Sequence, residues 1–372
     1  MYTPGVGRLA ARIATDAGAA DAVTGRGNRV AVVSDGTAVL GLGNVGPLAA
    51  LPVIEGKAAL FAQLADIDAV PLCVNVSGTD ELVALVRTLA PTFGGINLDD
   101  IAAPRCFEVE QRLQAELDIP VFHDDQHGTA IVVLAGLRNA LRVVGKRLET
   151  ARVVVVGAGA AGTAVTKLLR EAGAGDTVVC AGQGILSADA TEGLPAHKAW
   201  LAEHTNPRRI TGGLAEALAG ADAVIGLSRP GVLTRELVTT MALDPIVFAL
   251  ANPDPEIRPE QLSGLAAVVA TGRSDYPNQI NNALAFPGVF RGALNARAPR
   301  ISTAMQLAAA DVLAGLVGDD QLSARRLLPD VLDPQVVPTV SAAVAAVELS
   351  RRRANAGDGN AQTKRRRDWV TW

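Results

Sequence analysis

Hydrophobic positions along this chain fall into short β-branched runs separated by stretches with helical spacing. Arg29–Ser34 (RVAVVS) is the first run and ends at the turn signal Asp35-Gly36. Pro47–Leu64 then carries apolar residues at helical intervals. Ala69–Asn75 predicts a second strand, Asp80–Leu89 a helix, Gly95–Leu98 a third strand and Phe107–Leu117 another helix. Ile119–His123 predicts the fourth strand, and Gly128–Val144 returns to helical period. Strands this apolar, alternating with helices, predict a parallel sheet covered on both faces.

The alternation continues past residue 150. Arg152–Val156 (RVVVV) runs straight into Gly157-Ala158-Gly159-Ala160-Ala161-Gly162 and a helix through Leu169. Further strands are predicted at Thr177–Ala181, Ala223–Leu227, Ile246–Leu250 and Ala267–Ala270. Ser302–Leu316 and Val337–Leu349 read as helices, with a Pro-punctuated loop over Leu328–Val337. The expected fold class is α/β: an N-terminal α/β domain over 1–130, a Rossmann dinucleotide-binding domain with C-terminal helices over 131–345, and a basic, disordered tail over 346–372.

Length and composition agree with two globular domains: 372 residues, 49% hydrophobic and 19% charged, which excludes a wholly disordered chain. The net charge is −4, yet residues 351–372 alone hold seven Lys and Arg against two acids. The body is therefore more acidic than the total suggests, which argues against a nucleic-acid-binding surface there. Cys73, Cys106 and Cys180 are odd in number and form no C-x-x-C pair, as expected in a reducing compartment. The opening Tyr2-Thr3-Pro4-Gly5 is turn-like rather than a signal peptide, and the apolar stretch 128–145 is broken by Arg138 and Arg142. A cytoplasmic protein with no membrane partner is the expectation.

Two constellations carry chemistry. G-x-G-x-x-G at 157–162 stands between a strand and a helix, the setting in which its backbone approaches a dinucleotide pyrophosphate at the helix N-terminus. The acid that would bind the ribose 2′-hydroxyl is missing, because the end of the next strand reads Ala181-Gly182-Gln183. With nothing there to repel a 2′-phosphate, and Lys198 downstream as a positive partner, NADP is favoured over NAD. The second constellation is a pair of acid doublets, Asp99-Asp100 and Asp124-Asp125, each directly after a predicted strand. Ligands of open α/β sheets bind at that edge, and doublets brought together there repel unless a hard cation such as Mg²⁺ or Mn²⁺ lies between them. Helix capping explains one acid per doublet. His123 and His127 flank the second doublet at i, i+4, but H-D-D-Q-H lacks the H-E-x-x-H pattern of a zinc helix.

With these residues in place, the chain resembles the malic enzymes, in particular the short bacterial type. The likeness runs from Tyr2 to about residue 345 through YTPGV (2–6), SDGTAVLGLGNVG (34–46), EGKAALF (55–61), GINLDDIAAPRCF (95–107), VFHDDQHGTA (121–130), the GAGAAG loop, ANPDPE (251–256) and RSDYPNQINNALAF (273–286). The resemblance implies oxidative decarboxylation of malate to pyruvate and CO2 with reduction of NAD(P), a divalent metal and a homodimer. It implies Lys57 as general base at the C2 hydroxyl, Tyr2 as proton donor to C3, and Asp124 as the acid bonded to the lysine. Asp99, Asp100 and Asp125 match the metal ligands, which would make 1–130 the substrate and metal domain. Asn252 and Asn282 match the amides that hold substrate beside the nicotinamide.

Two departures from the family pattern stand out. Asp99 occupies a position where the family carries Glu, one methylene longer. The YTPGV motif begins at residue 2, where the family has tens of residues before it. That second departure keeps open an alternative reading, a truncated, weakly active or non-catalytic dinucleotide-binding remnant.

Overall fold

The computed structural model describes residues 2–367, and side chains as far as residue 355. Short helices α1 (Gly5–Thr15) and α2 (Ala20–Val23) lead into β1 (Arg29–Ser34), α3 (Pro47–Ala65), β2 (Asp68–Cys73), α4 (Thr79–Leu89), β3 (Gly95–Leu98), α5 (Arg105–Glu116) and β4 (Val121–His123). The four strands form a parallel sheet in the order β2-β1-β3-β4. Strand periodicity divides its core in two. Val30, Val32 and Phe122 face Ile54 and Phe61 of α3, while Ala31, Val33, Ile96, Leu98 and Val121 face Val83 and Val86 of α4 and Val109 and Leu113 of α5. Both faces are covered, as the continuous apolar runs require.

A single π-turn, Asp124–Gly128, follows β4 and opens into α6 (Thr129–Val143), which crosses to the second half. There β5 (Arg152–Val156), α7 (Ala160–Glu171), β6 (Asp176–Ala181), β7 (Gly184–Ile185), α8 (Ala196–His204), α9 (Leu214–Leu218), β8 (Ala223–Gly226), α10 (Arg235–Thr239), β9 (Ile246–Ala249) and β10 (Val268–Thr271) build a six-stranded sheet ordered β10-β9-β8-β5-β6-β7. It is parallel except at β7, a short return strand on β6 that the sequence pattern does not announce. Gly162 lets α7 close on the loop after β5: a Cβ at that position would lie 1.9 Å from the Gly157 carbonyl oxygen.

The chain then returns to the first half. In α11 (Phe286–Asn295), a helix the periodicity reading does not contain, Phe286 and Phe290 meet Phe61 at ring separations of 4.7 and 5.4 Å, and Phe290 meets Phe122 at 5.8 Å. One cluster of buried side chains thus runs through α3, α6, α11, α12 (Thr303–Gly315) and the first turns of α13 (Val336–Arg367).

One expectation needs correction. The segment from 346 is not a disordered tail at its start: α13 runs on through Arg367, and only 368–372 lie outside the described residues. The turns just past 346 are held by local pairing, since buried Glu348 accepts from Arg351 and Arg352, and Arg352 also reaches the Arg297 carbonyl. Among the described residues, α3 is the one helix long and apolar enough by composition to cross a membrane, with mean hydropathy 1.4 over an 18-residue window. It contains Glu55 and Lys57 and packs against β1, β2 and α11.

Candidate active site

Both acid doublets stand at the carboxyl end of the first sheet, because β3 and β4 are neighbours and each doublet follows its strand directly. The π-turn presents Asp124 and Asp125 toward Asp99 and Asp100. Ligand oxygens of Asp99, Asp100 and Asp125 lie within 4.8 Å of one another. Asp100 adopts a left-handed backbone (φ 53°), which aspartate tolerates, and its N–H donates to Oδ2 of Asp125 at 2.9 Å. Its own Oδ2 is buried with no protein partner. Burial, then the charges of Asp99 and Asp125, push the Asp100 carboxyl up to about 8. Two buried acids and one half-buried acid, with an orphaned oxygen on Asp100, form a hard-oxygen set that fits a divalent cation.

Lys57, on α3, reaches into this group. Its Nζ lies 2.7 and 2.6 Å from the two oxygens of Asp99 and 2.5 Å from Oδ2 of Asp124. Burial works against its charge, but Asp124, Asp99 and Asp125 outweigh it and hold the ammonium form. The Phe286 ring lies 5.2 Å from Nζ. Asn282 closes the group from the other half of the molecule, donating Nδ2 to Oδ2 of Asp124 at 2.8 Å. Gly128 leaves room for that carboxylate, since a Cβ there would sit 1.8 Å from Asp124 Oδ1. Lys57, Asp99, Asp100, Asp124, Asp125 and Asn282 are therefore assembled in one place.

Beside them opens a cleft of about 1240 Å³. It is lined by Gly157, Ala158 and Gly159, by Gly182, Gln183 and Lys198, and by Ala103 and Pro104 from the first half. Ala160, Ala161 and Gly162 form the first turn of α7, as the fingerprint requires. The cleft also holds Arg229 and His197, which the sequence reading did not single out. His197 Nε2 lies 3.1 Å from the Ala158 carbonyl oxygen, and its ring lies 4.7 Å from Phe107 of α5, bridging the two halves.

Two expected residues stand apart. Tyr2 is 81% exposed and precedes α1, none of whose residues is buried. Among the described residues no hydrogen bond ties its side chain to the acid group, and α1 buries none of its residues. Asn252 donates Nδ2 to the Leu250 carbonyl at 3.3 Å and lies against Gly41, not against Lys57 or the acids.

The sequence reading also passed over Glu110. This carboxylate is fully buried on α5, accepts from the His123 N–H at 2.9 Å and meets His127 Nε2 at 3.0 Å. Burial alone would raise it, but His127 holds it below the ordinary glutamate range. Its signal was present: Glu110 shares a helix face with Cys106, Val109 and Leu113, an apolar stripe where an acid needs a partner. His123 is buried with both ring nitrogens unpartnered and pushed down to about 4 by that burial.

Known proteins share this arrangement. Residues 1–114 match the family described as malic enzyme, N-terminal domain, and residues 126–350 match malic enzyme, NAD binding domain. An NAD-dependent malic enzyme of Geobacillus stearothermophilus is 53% identical over 97% of this chain and 75% of its own. A bifunctional malic/malolactic enzyme of Bacillus subtilis is 51% identical over 94% of this chain and 85% of its own. The crystal structure of malic enzyme from Pyrococcus horikoshii superposes with a TM-score of 0.90 at 48% identity, covering 94% of this chain and 83% of that one. By motif, fold and likeness along almost its whole length, the chain belongs to the malic enzyme family.

Proposed function

We propose that this chain oxidatively decarboxylates malate to pyruvate and CO2 while reducing NAD(P), with a divalent cation held by Asp99, Asp100 and Asp125. The observation that carries the reading is Lys57 Nζ set between Asp99 and Asp124 at the edge of the cation-binding acids. A dinucleotide in the cleft supplies the hydride acceptor, and a cation on the three acids supplies Lewis-acid polarisation of the substrate oxygen.

Lys57 takes the proton of the C2 hydroxyl. For that it must first give up its own, and the acids around it oppose this. With a cation held by Asp99 and Asp125, Asp124 alone would be left to hold the ammonium, and burial would then favour the neutral amine. Asn282 fixes Asp124 from the nucleotide-binding half, so the base is aligned only when the two halves are in register. The resemblance assigns proton return at C3 to Tyr2 and the orientation of substrate and nicotinamide to Asn252, roles that need both residues brought to the acid group from where this chain holds them.

NADP is the preferred cofactor on this reading, because Lys198 and Arg229 line the cleft while Ala181 offers no carboxylate to repel a 2′-phosphate. The homodimer expected from the resemblance would cover the exposed α1 together with Leu40, Leu42 and Leu48, which stand 64, 68 and 83% exposed. The free thiols of Cys73, Cys106 and Cys180 agree with a cytoplasmic setting. The test is reduction of NAD and NADP by malate, followed spectrophotometrically with Mn²⁺ and after chelation. Malate-dependent reduction that survives complete chelation would overturn the metal role, and dinucleotide binding without reduction would overturn the reaction.

A further inference from the structure

Asp124 and Asp125 sit on a single π-turn, a rare geometry that needs bracing from outside the helix it leads into. Glu110 supplies that brace at both ends. One carboxylate oxygen accepts the backbone N–H of His123, the residue just before the turn, and the carboxylate meets the ring of His127, the fourth residue within it. The first contact has a topological cause. β4 is an edge strand, and Glu110 provides the acceptor that a neighbouring strand would otherwise offer. The residues between the two contacts include Asp125, whose Oδ2 in turn receives the Asp100 N–H. Moving the turn therefore moves two of the three acids at once. Arg105 and Phe107, on the same helix as Glu110, engage Asp35 and His197, which fixes α5 against both halves.

We propose that Glu110 is a positioning residue for the cation site: clipping the π-turn at both ends, it sets the affinity of Asp99, Asp100 and Asp125 for a divalent ion. The inference rests on the metal reading above and concerns a residue that touches neither ion nor substrate. Groups that orient metal ligands from outside the coordination sphere typically carry about 10–100-fold in metal affinity, and Glu110 acts on the turn that carries Asp125 rather than on a ligand itself.

The experiment is Mn²⁺ titration of the full chain without malate or dinucleotide, read by the electron paramagnetic resonance of free Mn²⁺. Dinucleotide affinity is measured in parallel by fluorescence. Glu110→Ala is expected to weaken Mn²⁺ binding by about 10-fold or more and to leave dinucleotide affinity within about 2-fold. Glu110→Gln keeps an acceptor for the His123 N–H and a polar group facing the His127 ring, so its Mn²⁺ affinity should stay within about 3-fold of the parent. A folded Glu110→Ala variant that binds Mn²⁺ like the parent overturns the proposal. Should Glu110→Ala not fold, His127→Ala opens one end of the clip only, and unchanged Mn²⁺ affinity there overturns it equally. Asp125→Asn serves as the control that removes a ligand. Failure of the unaltered chain to bind Mn²⁺ would instead strike the metal reading itself, and the clip would fall with it.

Discussion

Oδ2 of Asp124 accepts from Lys57 Nζ at 2.5 Å and from Asn282 Nδ2 at 2.8 Å, so a single carboxylate oxygen joins the substrate half to the nucleotide half. The lysine comes from α3 and the asparagine from the turn before α11, segments more than two hundred residues apart. Their meeting depends on Phe286 and Phe290 packing on Phe61, which docks α11 against α3.

Removing the amine should stop the chemistry while sparing the fold. Lys57→Ala is expected to lower kcat for malate by about 10²–10⁴-fold. Dinucleotide affinity should be unchanged, because Lys57 lies outside the cleft lined by the glycine loop. Steady-state kinetics with fluorescence titration of the dinucleotide check both, and near-normal turnover would remove Lys57 from its role.

The glycine loop makes a steric prediction. Any side chain at position 162 meets the Gly157 carbonyl, a backbone atom that cannot swing away. Gly162→Ala should therefore displace the loop and weaken dinucleotide binding by about 10-fold or more, a loss of about 1.4 kcal/mol or greater. Mn²⁺ binding should be untouched. Parallel loss of both affinities would point to general unfolding instead.

Cofactor choice can be read from one lysine. Lys198 lines the cleft and pairs with no carboxylate among the described residues. Lys198→Ala is expected to raise KM for NADP by about 10-fold while changing KM for NAD little, consistent with loss of one charge-assisted contact. Equal effects on the two cofactors would show that discrimination lies elsewhere in the cleft.

The C-terminal helix carries a pH-dependent contribution. Arg351 and Arg352 hold the Glu348 carboxyl below the usual glutamate value. The folded state then binds fewer protons than the unfolded one, so the stabilisation is present above the unfolded pKa and is lost as pH falls through the folded value. Glu348→Gln should lower Tm by about 2–4 °C at neutral pH. The gap from the parent should close toward pH 3, and a gap independent of pH would assign the effect to packing rather than charge. Melting curves across that range decide.

Much of this protein was legible from local pattern. The β-branched runs located nearly every parallel strand of the two sheets because strands buried on both faces must be apolar throughout. The GAGAAG loop announced its role because backbone approach to a pyrophosphate leaves only glycine at its tight positions. The acid doublets showed as chemistry for a similar reason: adjacent carboxylates after a strand are costly without a cation.

What the chain order could not supply was distance between segments. That Asp99 and Asp125 face one another follows from β3 and β4 being neighbours, a pairing set by the packing of α4 and α5 rather than by either strand's composition. Glu110 was overlooked because its partners, the His123 N–H and the His127 ring, come to it only when α5 lies along the edge strand. Tyr2 is the converse. Its motif identified it, yet none of the residues of α1 is buried, and the tertiary structure leaves Tyr2 in solvent. Local sequence determines which residues can strand, turn or ligate, because those are properties of a few neighbouring side chains. Only the folded chain decides which of them meet, because burial is a property of the whole.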